Sequence, residues 1–220
     1  MRSLILGILL IIIAGVGGLV YRNAVERPVR PIVCPLDAKV CPDGTAVSRT
    51  GLSCTFPACP PPNVSLPDVG IGYAVPAGFR EVAPPDAASV AAYSIPGPTP
   101  EEPSEIIIRR FAIPPSSTAL ATIQETAIGG ASGEPVSVTA YSSSELGTHR
   151  FTVVSIERFE AVIDTAYYLA RGTDVLRFDA IDRGVANWTD PNLDVSKLPA
   201  HAALIRLLAT VQAAFIEGTE

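Results

Sequence analysis

Four cysteines are the residues in this 220-residue chain whose type and spacing most directly suggest chemistry. Cys34, Cys41, Cys54 and Cys59 follow one another in the spacing C-x6-C-x12-C-x4-C, and no other cysteine is present. A zinc site usually brings its cysteines in C-x2-4-C pairs, and only the last pair has that spacing, with no histidine nearby. A redox centre would need C-x-x-C, which the sequence lacks.

An even number of cysteines in a short stretch behind an apolar segment is typical of a disulfide-closed module outside the cytosol. Such a stretch is too small to bury a stabilising core, so covalent closure takes the place of one. Four cysteines allow three pairings, and we weakly prefer Cys34–Cys54 with Cys41–Cys59. A metal site and free thiols are the alternatives. Asp43-Gly44 is a turn signal, which predicts a small hairpin of residues 45–49 with residues 39–41.

Two histidines are the other candidates for acid–base chemistry. His149 opens a predicted strand, and His201 lies in the first turn of the last predicted helix. With a serine of the run 142–144 or an aspartate, His149 would suit a hydrolase, but the nucleophile motif G-x-S-x-G is missing. A surface histidine and a serine-rich turn explain these residues better, and we predict no catalytic residue.

Oxygen-bearing side chains recur at alternate positions from Asp190 to Ser196, as in the first half of a calcium loop. Such a loop needs Gly at its sixth position and Glu at its twelfth, where this chain has Val195 and His201. A turn leading into a helix explains the residues better, so we predict no metal and no cofactor. Trp188, the only tryptophan, is expected to plug the core.

The N-terminal segment predicts a membrane anchor over residues 1–21. Leu4–Val20 is seventeen residues without a charge, and a helix of that length reaches about 26 Å, close to the thickness of a bilayer core. We expect membrane contact through residues 4–21, with Tyr21 at the interface. A cleaved signal peptide is the first alternative, although Gly15-x-Gly17 is a poor cleavage site. A buried core helix is the second.

The charges around this segment disagree with the cysteines about its orientation. Arg2 precedes it, whereas Arg22, Arg27 and Arg30 follow it. The excess of arginine after the segment favours a cytosolic C-terminal part, but the cysteine cluster favours an oxidising compartment. We give the cysteines more weight and predict a single-pass protein of the cell membrane with its C-terminal domain outside the cytosol.

The net charge of −6 is unevenly distributed. Residues 1–65 carry six Arg/Lys and three Asp/Glu, whereas residues 66–220 carry ten Arg/Lys and nineteen Asp/Glu. Binding to nucleic acid requires cationic groups that neutralise phosphates. The acidic C-terminal part therefore excludes nucleic acid as a predicted partner.

Proline-rich stretches at 22–33 and 61–67 predict linkers that separate the anchor, a cysteine-rich module at 34–60 and a domain at 68–220. Within that domain, short apolar runs predict strands at 72–75, 89–95, 105–111, 135–141, 149–158, 162–170 and 175–181. One helix is predicted after Ser116-Ser117, with Leu120, Ile123 and Ala127 on one face. A second begins near Pro199 and carries apolar residues at 204, 207, 208, 211 and 215. We predict an α+β fold, an antiparallel sheet of six to seven strands packed with two helices.

The order of these elements resembles the PsbP-like fold over roughly residues 66–217. The resemblance lies in the segments 73–79 (YAVPAGF) and 166–172 (AYYLARG) and in the closing helix. It implies a protein used for assembly or docking, without catalytic residues. The cysteine module resembles those beside membrane anchors in uncharacterised membrane proteins of small-genome bacteria. Its run from Val40 to Thr45 also resembles part of a Kazal-type inhibitor, which has six cysteines rather than four.

Together these patterns predict a membrane-anchored, non-catalytic binding or assembly protein outside the cytosol, whose partner is a protein or a glycan. The first alternative is an extracytoplasmic hydrolase that uses His149. The second is a protease inhibitor whose exposed loop lies between Cys41 and Cys54.

Overall fold

The computed structural model describes residues 2–25, 33–41, 45–59, 61–96, 103–130 and 133–214. The chain divides into two compact units, one made of Met1–Asp37 and Ser48–Phe56, the other of Ala38–Val47 and Pro57–Glu220. The linker prolines at 28, 31 and 60, the Asp43-Gly44 turn and Phe215 lie outside the described residues.

The first unit contains helix α1 (Arg2–Val25) and a disulfide between Cys34 and Cys54. The α1 side chains that the structure describes, at positions 5 and 7–22, are all exposed. Within the described ranges, no helix combines the length and the apolar character that a membrane crossing requires. The predicted anchor therefore stays a prediction.

The second unit begins with a small hairpin in which β1 (Ala38–Val40) pairs with β2 (Ala46–Ser48). The Cys41 amide donates to the Thr45 carbonyl oxygen at 2.7 Å, and Cys41 forms a disulfide with Cys59. This hairpin has the position that the sequence predicts.

The α+β domain is built on one antiparallel sheet and a smaller one. Three strands form the small sheet in the order β12-β4-β3: β3 (Val64–Leu66), β4 (Ile71–Tyr73) and β12 (Gln212–Ala213). The large sheet has seven strands: β5 (Arg80–Val82), β6 (Ser89–Ile95), β7 (Ser104–Ala112), β8 (Ser142–Leu146), β9 (His149–Phe159), β10 (Val162–Arg171) and β11 (Asp174–Asp182). Their order is β5-β6-β7-β11-β10-β9-β8. The predicted α+β class is confirmed.

Each face of the large sheet is covered by a different helix. Helix α3 (Pro199–Leu208) packs through Leu204, Leu207 and Leu208 on a core that includes Phe178; we call this side the α3 face. Helix α2 (Ala119–Thr126) packs through Ile123 on the other side, the α2 face, against a smaller cluster. Because β11 lies in the middle of the sheet and under both layers, every one of its residues is buried.

The prediction of a strand at 135–141 is wrong, because the middle of this segment forms a turn. Val138–Ala140 is a single turn of 3₁₀ helix, and the Ser137 hydroxyl oxygen accepts a hydrogen bond from the Thr139 amide at 3.4 Å. Such local hydrogen bonds compete with a strand. The strand begins afterwards, so the serine run at 142–144 that we interpreted as a turn forms most of β8.

The two predicted helices exist, but each differs from its prediction at one end. Helix α2 is capped by Thr118 rather than by Ser116-Ser117, and Leu120 is exposed. Helix α3 stops at Leu208 because the Thr210 hydroxyl donates to the Leu207 carbonyl oxygen and accepts from the Ala74 amide at 2.8 Å. The chain then leaves the helix and adds β12 to β4, so Val211 packs on the core from outside the helix.

Candidate functional site

The α2 face carries buried charges at its centre. Along β11, Leu176, Phe178 and Ala180 belong to the α3 face, so strand alternation places Arg177 and Asp179 on the α2 face. Arg177 is 8% exposed and Asp179 is 0% exposed. Buried charges are rare unless they are paired and hydrogen-bonded. The neighbours of these two residues therefore decide whether the cluster is structural or functional.

Strand register places two arginines directly opposite each other. Arg177 on β11 is paired with Arg109 on β7 and with Tyr168 on β10. Like charges in that position destabilise a sheet, and Asp179 offsets this because its two carboxylate oxygens bind both arginines. Arg177 Nε donates to Asp179 Oδ1 at 2.6 Å, and Arg109 Nη1 donates to Asp179 Oδ2. Arg109 Nε donates in addition to Asp86 Oδ2 at 2.9 Å.

Arg177 also fixes the end of helix α2. Its Nη1 donates to the carbonyl oxygen of Thr126, the last residue of the helix, at 2.5 Å. The last carbonyls of a helix have no partner within the helix, and a cation there also interacts favourably with the helix dipole. The guanidinium of Arg177 lies 5.7 Å from the centre of the Tyr168 ring. Arg177 therefore has enough partners to be explained as a structural residue.

Asp164 on β10 is the member of the cluster whose contacts are incomplete. It is 8% exposed, and its Oδ2 lies 3.8 Å from Arg177 Nη2. Its Oδ1 is buried and makes no hydrogen bond within the described part of the chain. Burial and then the negative charge of Asp179 raise the pKa of Asp164 well above its usual range, in spite of the nearby Arg177 and Arg109. A buried oxygen without a partner costs free energy, so this position requires an explanation.

A β-bulge sets the position of Asp164. Asp164 pairs with Glu157 of β9, whereas the next residue, Thr165, pairs with Ser155, so that Ile156 is the extra residue. Bulges locally bend a strand and redirect a side chain, and they are common beside functional sites. The bulge therefore lies where it affects the direction of the Asp164 carboxyl.

A pocket of about 520 Å³ opens over this cluster. That volume is in the range of small-molecule sites. Its lining includes Asp86, Arg109, Phe111, Glu125, Asp164 and Arg177. The pocket thus combines an apolar wall with ionised groups, and the unpartnered carboxyl oxygen belongs to one of its lining residues.

The four cysteines form the pairs that the sequence analysis preferred. The Cα–Cα distances are 5.3 Å for Cys34–Cys54 and 5.6 Å for Cys41–Cys59, which are ordinary values for disulfides. Around the first of these, Arg49 Nε donates to Asp37 Oδ1 at 2.8 Å, and the Arg49 guanidinium lies 4.2 Å from the centre of the Phe56 ring. Within the first unit, this ion pair supports the covalent closure.

His149 is not brought together with a nucleophile in the described residues. It is half-buried, and its ring lies edge-on to Phe151, with 6.3 Å between the ring centres. Ser143 on the neighbouring strand instead accepts a hydrogen bond from Arg150 Nη2 at 3.1 Å. The pairing of a base with a hydroxyl that a hydrolase requires is not formed there.

His201 is buried at the start of α3, so it is not the surface histidine that the sequence predicts, and it has structural contacts. Its Nε2 and the Tyr167 hydroxyl are 2.7 Å apart. The backbone amides of Ala200 and His201 donate to the two oxygens of Asp182, at 2.7 Å and 3.1 Å. Burial lowers the pKa of His201, which favours the neutral imidazole.

The segment resembling a calcium loop uses its oxygens to form turns. Asp190 Oδ1 accepts from the Asn192 amide at 2.9 Å, and Asp194 Oδ1 accepts from the Ser196 hydroxyl at 2.5 Å. No group of three His, Cys, Asp or Glu side chains suited to a metal occurs in the described ranges.

Trp188 is half-buried and lies edge-on to Phe159, so it is not the core plug that we expected.

Arg177, Asp179 and Asp164 were not among the candidate site residues that the sequence predicts. The signal that could have identified the site is the presence of charges inside apolar strands. Asp164 follows Val162 and Ile163 directly, and Arg177 and Asp179 alternate with Leu176 and Phe178. A charge in such a run is either on a solvated face or in a buried polar site, and only the covering by α2 decides between the two.

No protein-family model matches this sequence, and no curated protein is similar to it. Among solved structures, the chain is similar to a protein of Bacteroides thetaiotaomicron, with a TM-score of 0.43 and 11% identity over 73% of this chain. It spans about half the length of that protein, 51%. It is also similar to LpqN of Mycobacterium tuberculosis, described as involved in cell envelope biogenesis, with a TM-score of 0.43 and 12% identity. This second match covers 66% of this chain and 83% of LpqN.

Proposed function

We propose that this chain is a membrane-anchored binding or assembly module that acts outside the cytosol and catalyses no reaction. The observation that carries the proposal is the pair of disulfides, Cys34–Cys54 and Cys41–Cys59, in the sequence that follows an apolar helix. Structural disulfides persist in oxidising compartments and are rare in the cytosol. A cell-membrane location with the α+β domain outside the cytosol is the arrangement that suits both features.

The anchor itself is part of the proposal. Residues 4–20 carry no charge, and the described side chains of α1, such as Ile11 at 74% exposure, have no protein core to pack on. A lipid environment would bury these side chains at a favourable free energy. We therefore propose residues 4–21 as the segment in contact with the membrane.

Binding without catalysis is supported by the polar groups of the α+β domain. Arg109, Arg177 and Asp179 on the α2 face are held by one another and by the end of α2, while a pocket remains open beside them. The proposed partner is a protein or a glycan. The PsbP-like resemblance of the sequence favours docking or assembly in the same way, and we keep it as a proposal for the fold.

No observation favours either of the two alternatives, a hydrolase or a protease inhibitor. A hydrolase using His149 would need a serine or aspartate within hydrogen-bond reach of the imidazole, and the described residues offer Phe151 instead. A protease inhibitor would need a rigid exposed loop between Cys41 and Cys54. Incubation of the purified chain with a panel of serine proteases tests this alternative, which predicts inhibition and resistance of that loop to cleavage.

Cysteine labelling in intact cells tests the location. We expect no reaction with a membrane-impermeant maleimide before reduction, and labelling of all four cysteines after treatment with a membrane-impermeant reductant. A chain with serine at the four positions is the control for background labelling. Labelling that requires cell lysis but no reductant would place the module in the cytosol and contradict the proposal.

Two further measurements test anchoring and binding. Extraction of membranes at alkaline pH, followed by mass determination, is expected to leave a chain that still contains residues 1–21; a mature N-terminus after Gly17 would show a signal peptide. Photo-crosslinking in membranes is expected to capture a specific protein or glycan. Recovery of no partner above background would count against a binding role.

A further inference from the structure

The pocket on the α2 face is lined by a residue with a buried acceptor oxygen that lacks a hydrogen-bond donor. Asp164 Oδ1 is buried without a hydrogen bond within the described part of the chain, and its residue lines the pocket. A partner placed in the pocket would remove the cost of leaving this oxygen desolvated. The chemistry of the surrounding groups decides which partner fits.

The arginines of the pocket are already occupied by other partners. Arg109 is bound by Asp86 and Asp179, and Arg177 is bound by Asp179 and by the Thr126 carbonyl. Glu125 lines the same pocket and forms no ion pair in the described ranges. Glu125 therefore stands in the pocket without an ion pair in the described ranges. Asp164 has a long one there, with 3.8 Å between its Oδ2 and Arg177 Nη2, which leaves its Oδ1 without a hydrogen bond.

We propose that this pocket binds an organic cation, an ammonium or guanidinium group that hydrogen-bonds to Asp164 and is attracted by Glu125. The inference rests on the binding role proposed above and gives the chemical class of the ligand. The N–H groups of such a cation match the acceptor oxygens of two carboxylates. Phe111 and Ile128 form part of the pocket wall, which suits the carbon chain attached to the charged nitrogen.

An anionic ligand fits the same pocket poorly. It would approach Asp86, Glu125 and Asp164, while the arginines that could receive it already bind carboxylates. A metal ion is also disfavoured, because the described residues hold no group of three side chains suited to one. An organic cation supplies its own hydrogen bonds in several directions and needs fewer protein ligands than a metal ion.

Titration calorimetry on the full chain in a non-ionic detergent tests the proposal with butylammonium, butylguanidinium and butyrate. We expect both cations to bind, with dissociation constants on the order of 1 mM or tighter for ligands of so few atoms, and butyrate not to bind. Tighter binding of butyrate than of the cations would overturn the proposal, and so would the failure of both cations to bind.

Matched variants locate the binding to this pocket. Asp164→Asn preserves the shape of the side chain and prevents formation of the carboxylate that a bound cation would stabilise, so we expect cation binding to weaken by about tenfold or more. Glu125→Gln is expected to weaken it by about threefold because that side chain is exposed. The control is Glu145→Gln, an exposed carboxylate on β8 away from the pocket lining, which should change nothing. Unchanged affinity in Asp164→Asn would refute the assignment.

The cation can come from a small amine or from a lysine or arginine side chain of a protein partner. An acetylated Ala-Lys-Ala amide, compared with the same peptide acetylated on the lysine, distinguishes these sources. Where butylammonium binds, additional binding of the unmodified peptide but not of the lysine-acetylated peptide indicates a side chain, whereas failure of both peptides to bind indicates a small amine; either result supports a cation site. Failure of every cation would remove this inference and leave the crosslinking and cysteine-labelling tests of the proposed function unaffected.

Discussion

At the scale of single residues, two buried titratable groups have opposite effects on the dependence of stability on pH. Burial raises the pKa of Asp164 and lowers the pKa of His201, because in both cases it disfavours the charged form. Between its unfolded-state and folded-state pKa, Asp164 is therefore protonated in the folded protein and ionised in the unfolded chain. Between the two pKa values of His201, the imidazole is neutral in the folded protein and protonated in the unfolded chain. Each group can be tested by comparing a variant with the unsubstituted chain.

We expect Asp164→Asn to stabilise the domain at pH 7. Because its folded-state pKa is raised, Asp164 costs stability as the pH rises above the unfolded value of about 3.9. Removing this titratable carboxyl, which ionises more readily in the unfolded chain than in the folded protein, should raise the free energy of unfolding by about 1 kcal/mol, with the difference shrinking toward pH 3. Urea unfolding of both proteins at pH 3, 5 and 7 measures this difference in the free energy of unfolding. A variant that is less stable at pH 7 would mean that an ionised Asp164 is held well by Arg177.

His201→Gln should flatten the pH dependence between pH 7 and pH 5. A histidine with a lowered folded-state pKa contributes no penalty above its unfolded value of about 6.5, and stability is lost as the pH falls below that value. Glutamine can still reach the Tyr167 hydroxyl but does not titrate. The slope of the unfolding free energy against pH should therefore decrease in this variant. His149→Gln is the matched control, and an equal change of slope in both variants would contradict the assignment to His201.

At the scale of elements, the helices are positioned by residues that lie on the sheet. Arg177 of β11 binds the C-terminal end of α2, and Asp182, the last residue of the same strand, accepts the first amides of α3. The N-cap position of α3 itself is Leu198, which provides no side-chain hydrogen bond. One central strand thus supplies a cap to both helices, each on its own face of the sheet.

Asp182→Ala should detach the start of α3. The substitution leaves the Ala200 and His201 amides without acceptors in a buried place, which costs about 1–2 kcal/mol of stability. Asp182→Asn keeps one acceptor oxygen and is expected to lose less. Thermal unfolding of the three proteins measures the order. Equal stability of Asp182→Ala and the unsubstituted chain would show that solvent caps the helix instead.

Gly147→Ala should destabilise the hairpin between β8 and β9. Gly147 has φ = 60°, and a Cβ there would lie 2.6 Å from the Ala209 carbonyl oxygen after α3. The left-handed conformation and the close contact together predict a loss of about 1–3 kcal/mol. Gly172→Ala, in the turn between β10 and β11 and with no atom within 4 Å of the added Cβ, is the control. Similar losses in both variants would mean that the contact with residue 209 is unimportant.

At the scale of the whole molecule, the two disulfides belong to different units. Cys34–Cys54 lies in the unit of Met1–Asp37 and Ser48–Phe56, and Cys41–Cys59 lies in the unit that contains the α+β domain. The cysteine module that the sequence suggests as one segment therefore contributes residues to both units. Removal of each disulfide should affect the unit to which it belongs.

The double substitution Cys34→Ser and Cys54→Ser should make Arg49 sensitive to trypsin without changing the unfolding temperature of the α+β domain. Cross-links of about 15–20 residues stabilise by roughly 3 kcal/mol, mainly through the unfolded chain, and both cysteines of this one belong to the first unit. Limited proteolysis followed by mass determination gives the cleavage site. The matched control removes Cys41 and Cys59, and protection of Arg49 in the first variant would contradict the expectation.

Much of the fold could be predicted because its signals are local. The runs at 89–95 and 162–170 predict strands that the structure contains at Ser89–Ile95 and Val162–Arg171. Prediction failed where tertiary contacts oppose the local pattern, as at Thr210, whose hydroxyl accepts a hydrogen bond from Ala74 and so ends α3 early. The short strands β3, β5 and β12 were missed because each has only two or three residues and forms only beside a partner strand.

The sequence by itself predicted the α+β class, the main strands, the start of α3 and the preferred pairing of the cysteines, since all of these depend on neighbouring residues or on a few fixed spacings. Only the tertiary structure determined the pocket of the α2 face. Asp86, Arg109, Asp164 and Arg177 come from separate parts of the chain, and the strand order β7-β11-β10 together with the bulge at Asp164 brings them into one cluster. Burial then changes their chemistry, because a carboxyl that is ordinary in water loses its solvation and its partners under a helix.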